Sequence, residues 1–366
     1  MAIFQSVVPT LAIIIMLVVI HELGHFLTAK WFGVKVLEFG VGYPPRAWGK
    51  TIRGTDYTIN WLPLGGFVRL LGEEDPTDPR SLAAQARWKR IVIMAAGSVM
   101  NVLLPVLLFG ISNMIPQEVP AGQAQITAVA SGSPAEKAGV KENDIILAVN
   151  GREASNVSDV AYFIRLNQGD TMTWRIRRQN EPGAVGVGGG GEIAQVEVYG
   201  RWAPPKGQGP TGISLGQRGT LTETRSYPVW EAIPRGARST MESLVIARNQ
   251  VISWFAARSR PEGLAGPVGI AQATGEVVDQ AGWVVLLQWA ALLSINLAVL
   301  NILPLPMLDG GRIFFVVIEI LRGGKRVSPE KEALVHFIGF VVLVSFVVVI
   351  SVFDVMRIFK GESLLR

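Results

Sequence analysis

Two histidines and a glutamate near the amino terminus have the spacing of a metal site. His21, Glu22 and His25 form the string His-Glu-x-x-His. Residues four apart lie on one face of a helix, so the two imidazoles could share one Zn²⁺ while Glu22 acts as general base toward water. The string continues an uncharged apolar run that begins at Met1. Ionisable groups in a membrane segment are costly unless paired or metal-bound, so this setting indicates function and disfavours a soluble core histidine pair.

The composition is that of a membrane protein. Of 366 residues, 49% are hydrophobic and 17% are charged, and the mean hydropathy is +0.35. Soluble domains carry about a quarter charged residues. The net charge is +5, but the basic residues are spread along the chain rather than clustered with aromatics, which fits membrane topology and argues against nucleic-acid binding. Cysteine is absent, so thiolate metal sites are excluded.

Asp309 is the carboxylate best placed to complete a metal site. The chain has three histidines, and His336 lies away from the motifs, inside the last apolar segment, where a structural role is expected. Asp309 ends a long apolar segment, after Pro-Leu-Pro and before a Gly-Gly pair. His21, His25 and Asp309 would make a His₂-carboxylate site whose fourth position stays open, as hydrolysis requires. The alternative role of Asp309 is a helix cap at a membrane exit.

Four apolar segments are expected to cross the bilayer, namely residues 1–31, 91–116, 281–311 and 333–353. The loop 32–90 is rich in Lys and Arg, whereas residues 1–20 carry no charge. The positive-inside rule therefore predicts that this loop and the metal site face the cytoplasm. In the second segment, Gly97 and Asn101 have the spacing of a helix-packing motif, and packing is the expected role of both.

Residues 32–90 are expected to contain a small membrane-associated β-region. The stretches 57–62 and 67–71 have the pattern of strands joined through Pro63-Leu64-Gly65-Gly66. A small sheet beside a membrane active site could hold an extended peptide by strand addition. An ordinary cytoplasmic hairpin fits the sequence equally well.

Residues 122–220 change to alternating strands, turns and charges. Ser-Pro-Ala at 133–135, Asp-Ile-Ile at 144–146 and Val-Asn-Gly at 149–151 resemble the landmarks of a PDZ domain of the bacterial permuted type. Such domains bind chain ends or extended peptides by strand addition, and residues 212–216 are expected at that edge. The glycine-rich segment 183–191 is expected to be a flexible loop. Residues 229–258 are predicted to form an amphipathic helix lying on the membrane surface.

The motifs together resemble the site-2 protease family of intramembrane zinc metalloproteases, in the bacterial regulator-of-sigma-E protease form with a single PDZ domain. The resemblance covers essentially the whole chain in the family's order. It implies zinc ligands and a catalytic base at the four positions named above, namely His21, His25, Asp309 and Glu22. It also implies substrate contacts from two asparagines and from the β-region, at Asn296, Asn301, Tyr57, Ile59, Gly65 and Gly66. For the asparagines, hydrogen bonding between helices is an equal alternative.

The fold expected from this resemblance is a polytopic α-helical membrane protein with about four transmembrane helices, a membrane-associated β-region and one inserted extracytoplasmic α+β PDZ domain. The implied activity is hydrolysis of the transmembrane segments of single-pass proteins in the bacterial inner membrane. Expected substrates are anti-sigma factors already trimmed by another protease, and signal-peptide remnants. A non-catalytic scaffold that binds peptides through its PDZ domain is the alternative, although all four site residues are present. A metal transporter fits less well, because of the PDZ domain and of Glu22.

Overall fold

The computed structural model describes residues 2–73, 75–178, 192–257 and 265–363, so the glycine-rich segment 183–191 lies outside the described residues. The chain divides into two compact units. The first, here called the membrane unit, contains Met1–Ser112, Trp230–Thr240 and Glu262–Arg366. The second, here called the β-domain, contains Asn113–Val229 and Met241–Pro261.

Eight helices and eight strands are found in the described residues. In chain order they are α1 (Ala2–Trp31), β1 (Val36–Ile52), β2 (Thr55–Leu70), α2 (Arg87–Met114), β3 (Gln117–Val129), α3 (Pro134–Lys137), β4 (Ile145–Val149), β5 (Arg152–Glu153), α4 (Val157–Leu166), β6 (Thr171–Arg177), β7 (Ile193–Tyr199), β8 (Ile213–Arg225), α5 (Val229–Ala257), α6 (Pro267–Ile302), α7 (Asp309–Leu321) and α8 (Pro329–Phe359).

Four helical segments of the described chain are long and apolar enough to cross a membrane. They are Ser6–Trp31 of α1, Arg87–Met114, Gly282–Ile302 of α6, and Pro329–Phe359. Their lengths of 21 to 31 residues meet the roughly 20 residues that a bilayer core requires. The chain is therefore a multi-pass membrane protein.

Helices α1 and α2 cross closely at Gly24. A Cβ atom at this position would lie only 2.3 Å from the carbonyl oxygen of Ala96, so the crossing requires glycine in α1. Beside the crossing, a buried apolar cluster joins α1, the β-region, α2 and α7; it includes Ala29, Val36, Leu70, Ile93 and Val316. This cluster packs the β-region and the middle of α7 against the two helices.

The β-region is one bent hairpin, and the prediction of two short strands joined by a turn at 63–66 was wrong. Residues 55–70 form one continuous bulged strand, in which Gly65 has a φ of 120°. The first part of β1 lies between the two ends of β2, because Phe39 pairs with both Tyr57 and Val68. Glycine at position 65 lets the strand bend without ending, and sequence patterns cannot distinguish such a bend from a turn.

The third apolar segment is two helices, not the single helix 281–311. The sequence Gly-Pro at 266–267 begins α6, where the buried carboxylate of Asp354 accepts the N–H groups of Gly266 and Gly269, each at 2.8 Å. Proline is well suited to the first position of a helix. Helix α6 then kinks at Gly282 and ends at Ile302. After an irregular loop, Asp309 begins α7, a helix not predicted from the sequence.

The β-domain is built on an antiparallel sheet with strand order β7-β6-β4-β3-β8, and β5 pairs with β4. Its core contains Ile126, Ile146, Met172 and Trp174, all almost fully buried. Helix α3 has Ser133 as its N-cap and Pro134 at its first position, as the sequence suggests. The segment 212–216 contains the first residues of β8, which ends the strand order, so it lies at an edge of the sheet. Peptide binding there stays a prediction.

The second half of α5 turns its polar residues toward the β-domain. Glu242 accepts hydrogen bonds from Arg152 and Tyr162, each at 2.8 Å. Asn249 donates to the carbonyl oxygen of Arg165 at 3.0 Å, at the end of α4. Glu242 and Asn249 are thus bonded within the domain, while Met241, Ile252 and Phe255 are exposed. The position of this helix on a membrane surface stays a prediction.

Candidate metal centre

The two histidines of α1 meet the first residue of α7. His21 Nε2 lies 2.9 Å from Asp309 Oδ2, and His25 Nε2 lies 3.3 Å from the same oxygen. The two Nε2 atoms are 3.2 Å apart. All three donor atoms lie within 4.8 Å of one another, and both histidines are buried. Residues separated by almost 290 positions in the sequence thus form a compact His₂-carboxylate cluster.

The space in front of these donor atoms exists because α2 has glycine at position 97. A Cβ atom on Gly97 would lie 2.5 Å from His25 Nε2 and 2.6 Å from His21 Nε2. Two imidazole nitrogens and one carboxylate oxygen are a donor set that suits Zn²⁺ at a catalytic site. The three donor atoms and the space that Gly97 leaves in front of them therefore fit a zinc ion.

The far side of each imidazole faces α2. His25 Nδ1 lies 2.8 Å from the carbonyl oxygen of Ile93. His21 Nδ1 lies 3.3 Å from Nδ2 of Asn101, a side chain that is completely buried. Gly97 and Asn101 thus contact the histidines, which goes beyond the packing role expected from the sequence. Their four-residue spacing, which puts both on one helix face, was the signal available.

Glu22 lies beside the cluster with its carboxylate against the β-region. Its Oε2 accepts the backbone N–H of Val68 at 3.0 Å. A Cβ on Gly66 would lie 3.9 Å from Glu22 Cγ, so this part of β2 runs directly along the glutamate. Val68 was not among the residues singled out from the sequence. A backbone N–H donor cannot be recognised from the type of its side chain. The only sequence signal for Val68 was its position in a predicted strand.

The loop before Asp309 is held by close packing and one histidine. Gly310 and Gly311 are required because a Cβ on either would lie 2.1 to 2.3 Å from a carbonyl oxygen of this loop. Met307 has a φ of 74°, and its N–H donates to His336 Nδ1 at 2.9 Å. His336 is therefore outside the donor cluster and supports the loop that carries Asp309.

Of the six residues expected to contact substrate, some lie at the metal centre or along α1 and the others lie elsewhere. Asn301 Nδ2 lies 3.4 Å from His21 Nε2, so this asparagine faces the metal centre. A Cβ on Gly65 would lie 3.2 Å from Val18 of α1, and Gly66 runs beside Glu22, as described above. Tyr57 instead packs its ring on Phe26. Ile59 and Asn296 have exposed side chains. Substrate contact by these residues stays a prediction.

Comparison with known proteins gives one family match that covers almost the whole chain. The sequence profile of Peptidase family M50 matches residues 9–346, a range that contains every residue of the centre. A protein of Rhizobium meliloti (strain 1021) is 30% identical over 357 residues, which cover 92% of each chain. The zinc metalloprotease RasP of Oceanobacillus iheyensis is 28% identical, covering 94% of this chain and 97% of the relative. The regulator of sigma-W protease RasP of Bacillus subtilis is 27% identical, covering 97% and 99%.

Proposed function

The chain belongs to peptidase family M50, and we propose that it cuts transmembrane segments of single-pass proteins, with zinc held by His21, His25 and Asp309 and with Glu22 as base. The chain is a zinc metallopeptidase, and its membrane-spanning helices make it an intramembrane protease. The observation that carries the assignment of residues is the convergence of the three donor atoms beside Glu22.

His21, His25 and Asp309 would hold the zinc ion through three donor atoms, and the bound ion would supply a Lewis acid for activating water and polarising a peptide carbonyl. Glu22 takes a proton from water and then returns it to the leaving amine nitrogen. Since Val68 N–H holds Oε2, the carboxylate is fixed in orientation and Oε1 is the oxygen left to receive the proton.

A transmembrane helix must unwind before it can be cut, because its carbonyl groups are hydrogen-bonded within the helix. An unwound segment needs replacement partners, and strand addition to the β-region would supply them. Gly65 and Gly66 support this role because they run along α1 next to Glu22 without side chains to block the approach. Asn301 supports it as well, because its amide can donate to a substrate carbonyl beside His21. Tyr57, Ile59 and Asn296 are proposed as contacts further along the substrate.

The proposed substrates are anti-sigma factors that another protease has already shortened, and signal-peptide remnants. The name of the Bacillus subtilis relative supports the regulatory assignment. In the proposed topology, residues 32–90 and the metal centre face the cytoplasm of a bacterial inner membrane. The β-domain would lie outside the cytoplasm as a PDZ-type module that binds chain ends at the edge formed by residues 212–216 and excludes untrimmed substrates.

The test compares the wild type with Glu22→Gln in liposomes that contain a truncated single-pass anti-sigma factor. Glu276→Gln is the matched control, because this glutamate of α6 bonds to Gln272 and Ser363 rather than to the centre. We expect cleavage by the wild type and the control only, with zinc bound by all three. If the wild type binds no zinc and leaves several such substrates intact, the assignment is wrong and a peptide-binding scaffold becomes the better account.

A further inference from the structure

Both histidines of the metal centre have the same arrangement, with Nε2 toward Asp309 and Nδ1 toward α2. For His25, the Nδ1 partner is the carbonyl oxygen of Ile93 at 2.8 Å. A carbonyl oxygen can only accept a hydrogen bond, so His25 carries its proton on Nδ1. Its Nε2 then presents a lone pair to the centre. Helix α2 therefore sets the tautomer of His25 through its backbone.

For His21, the Nδ1 partner is the side-chain amide of Asn101. Nδ2 of this amide lies 3.3 Å from His21 Nδ1, and Oδ1 is buried without a hydrogen-bond partner among the described residues. Rotation of the amide by 180° exchanges the two atoms. With Oδ1 at the imidazole, the amide accepts from Nδ1–H and leaves Nε2 free as a ligand. With Nδ2 there, it stabilises the opposite tautomer, whose Nε2 carries the proton and cannot bind metal.

We propose that Asn101 is the positioning residue of His21, with its amide oxygen accepting the Nδ1–H of the imidazole. This inference rests on the proposed function, which makes His21 Nε2 a zinc ligand. Helix α2 then supports the site at three positions four residues apart on one face. Ile93 holds His25 through its carbonyl group, Gly97 leaves room for the ion, and Asn101 holds His21.

Asn101 is itself held in place from a third helix. Its carbonyl oxygen accepts the hydroxyl of Ser294 at 2.8 Å, and both residues are fully buried. The bond uses the backbone of Asn101, so substitution of the side chain leaves it intact. The amide is therefore presented to His21 from a backbone that is hydrogen-bonded to α6, and hydrogen-bonded partners of this kind orient metal ligands.

Two substitutions separate this role from its alternatives. Asn101→Asp keeps an acceptor oxygen and removes the donor, whereas Asn101→Leu keeps a similar volume and removes both. An acceptor role predicts that the Asp variant binds zinc about as tightly as the wild type and that the Leu variant binds it more weakly. A donor role predicts that both variants lose zinc. A packing role predicts that Leu is tolerated and that Asp, which buries a charge, is not.

The experiment measures zinc affinity of the purified full chain by competition with a chelator. The variants are Asn101→Asp, Asn101→Leu and, as control on the same helix, Ser112→Ala, whose hydroxyl bonds to Gln288. We expect affinities close to that of the wild type for Asp and for the control, and a loss of about 10- to 100-fold for Leu. Equal affinity of Leu and wild type, or loss in both variants at position 101, would overturn the inference.

A second measurement does not depend on the folding of any variant at position 101. The chain has only three histidines, so ¹⁵N-labelled imidazoles of the zinc-loaded wild type give few signals, and His336→Gln removes one set. We expect a proton on Nδ1 of both His21 and His25. A proton on Nε2 of His21 with zinc bound would remove this imidazole from the ligand set, and would overturn the role of Asn101 together with the assignment of His21 as a ligand. Absence of zinc from the wild type would instead contradict the proposed function.

Discussion

Val68 donates its backbone N–H to Oε2 of Glu22 over 3.0 Å, which links the β-region to the proposed base of the metal centre. A hydrogen bond three residues further along the chain explains why the Val68 N–H is not used to pair β2 with β1. Leu71 donates its N–H to the carbonyl oxygen of Lys35 before β1, and amides three residues apart on an extended strand point in opposite directions. The Val68 amide therefore points away from β1 and toward α1. The sheet that we propose to receive substrate also orients the carboxylate that acts on it.

Removal of this donor should lower activity without loss of zinc. Val68→Pro has no N–H, and because the amide does not pair with β1, the strand can accept a proline. A hydrogen bond to a charged group contributes about 1.5–3 kcal/mol, so we expect a fall in kcat/KM of roughly 10- to 100-fold. Cleavage assays in liposomes and zinc analysis measure the two effects. Val68→Ala, which keeps the amide, is the control, and a proline variant with wild-type kcat/KM would rule out this role.

A methyl group at position 97 should prevent zinc binding. In Gly97→Ala the new Cβ would lie within 2.6 Å of the Nε2 atoms of His21 and His25, which is closer than such atoms can approach. We expect zinc affinity to fall by at least about 10-fold, with loss of cleavage. Val99→Ala, at an exposed position of the same helix, should bind zinc as the wild type does. Full zinc occupancy of Gly97→Ala at the same free zinc concentration would show that zinc does not bind in the space beside Gly97.

Loss of the His336 imidazole should loosen the loop that carries Asp309. His336→Phe removes the acceptor for the N–H of Met307, an exposed hydrogen bond of a kind that contributes about 0.5–1.5 kcal/mol. We expect lower thermal stability and weaker zinc binding, because Asp309 follows Met307 by two residues. His336→Gln offers an amide oxygen as replacement acceptor and should recover part of both. Unchanged zinc affinity and unfolding temperature in His336→Phe would show that this bond does not support the loop.

Acid should remove the stabilising contribution of Glu319, a buried residue of α7, which is not one of the spanning helices. Burial alone would raise the pKa of Glu319, but hydrogen bonds from Arg90 at 2.7 Å and Arg87 at 3.0 Å outweigh it and lower the pKa below the ordinary value. A folded pKa below the unfolded one, which is about 4.3, means that the ionised carboxylate stabilises the fold above that pH. This contribution is lost as the pH falls through the folded pKa.

The comparison of wild type with Glu319→Gln tests that linkage. The substitution leaves Arg90 buried beside a neutral partner, and breaking a buried pair costs about 3–5 kcal/mol. We expect the difference in unfolding free energy to be largest above about pH 5 and to shrink as the pH falls below 4. Glu231→Gln, which removes the partner of Arg235 in an exposed pair, should show little difference at any pH. A pH-independent difference for Glu319→Gln would contradict the assignment.

Local patterns in the sequence were sufficient to select the residues of the candidate site. His21 and His25 could be paired because the four-residue spacing has a fixed geometric meaning on a helix. The spanning segments could be identified because a bilayer requires long apolar runs, and the resemblance to the site-2 protease family was confirmed by the family match. Asp309 could be selected because the composition leaves few other ligands and its setting makes a lone carboxylate costly.

The tertiary structure alone decided how these groups are held. The sequence does not show that Val68 N–H reaches Glu22, that Asn101 faces His21, or that Gly97 leaves space for an ion, because these contacts join helices and strands far apart in the chain. The break between α6 and α7 also depends on distant partners, with Asp354 capping one helix and His336 supporting the loop before the other. The types of the proposed reactive residues follow from local spacing and from the cost of charge in a membrane. Their orientation depends on backbone donors and close approaches, which leave no local pattern in the sequence.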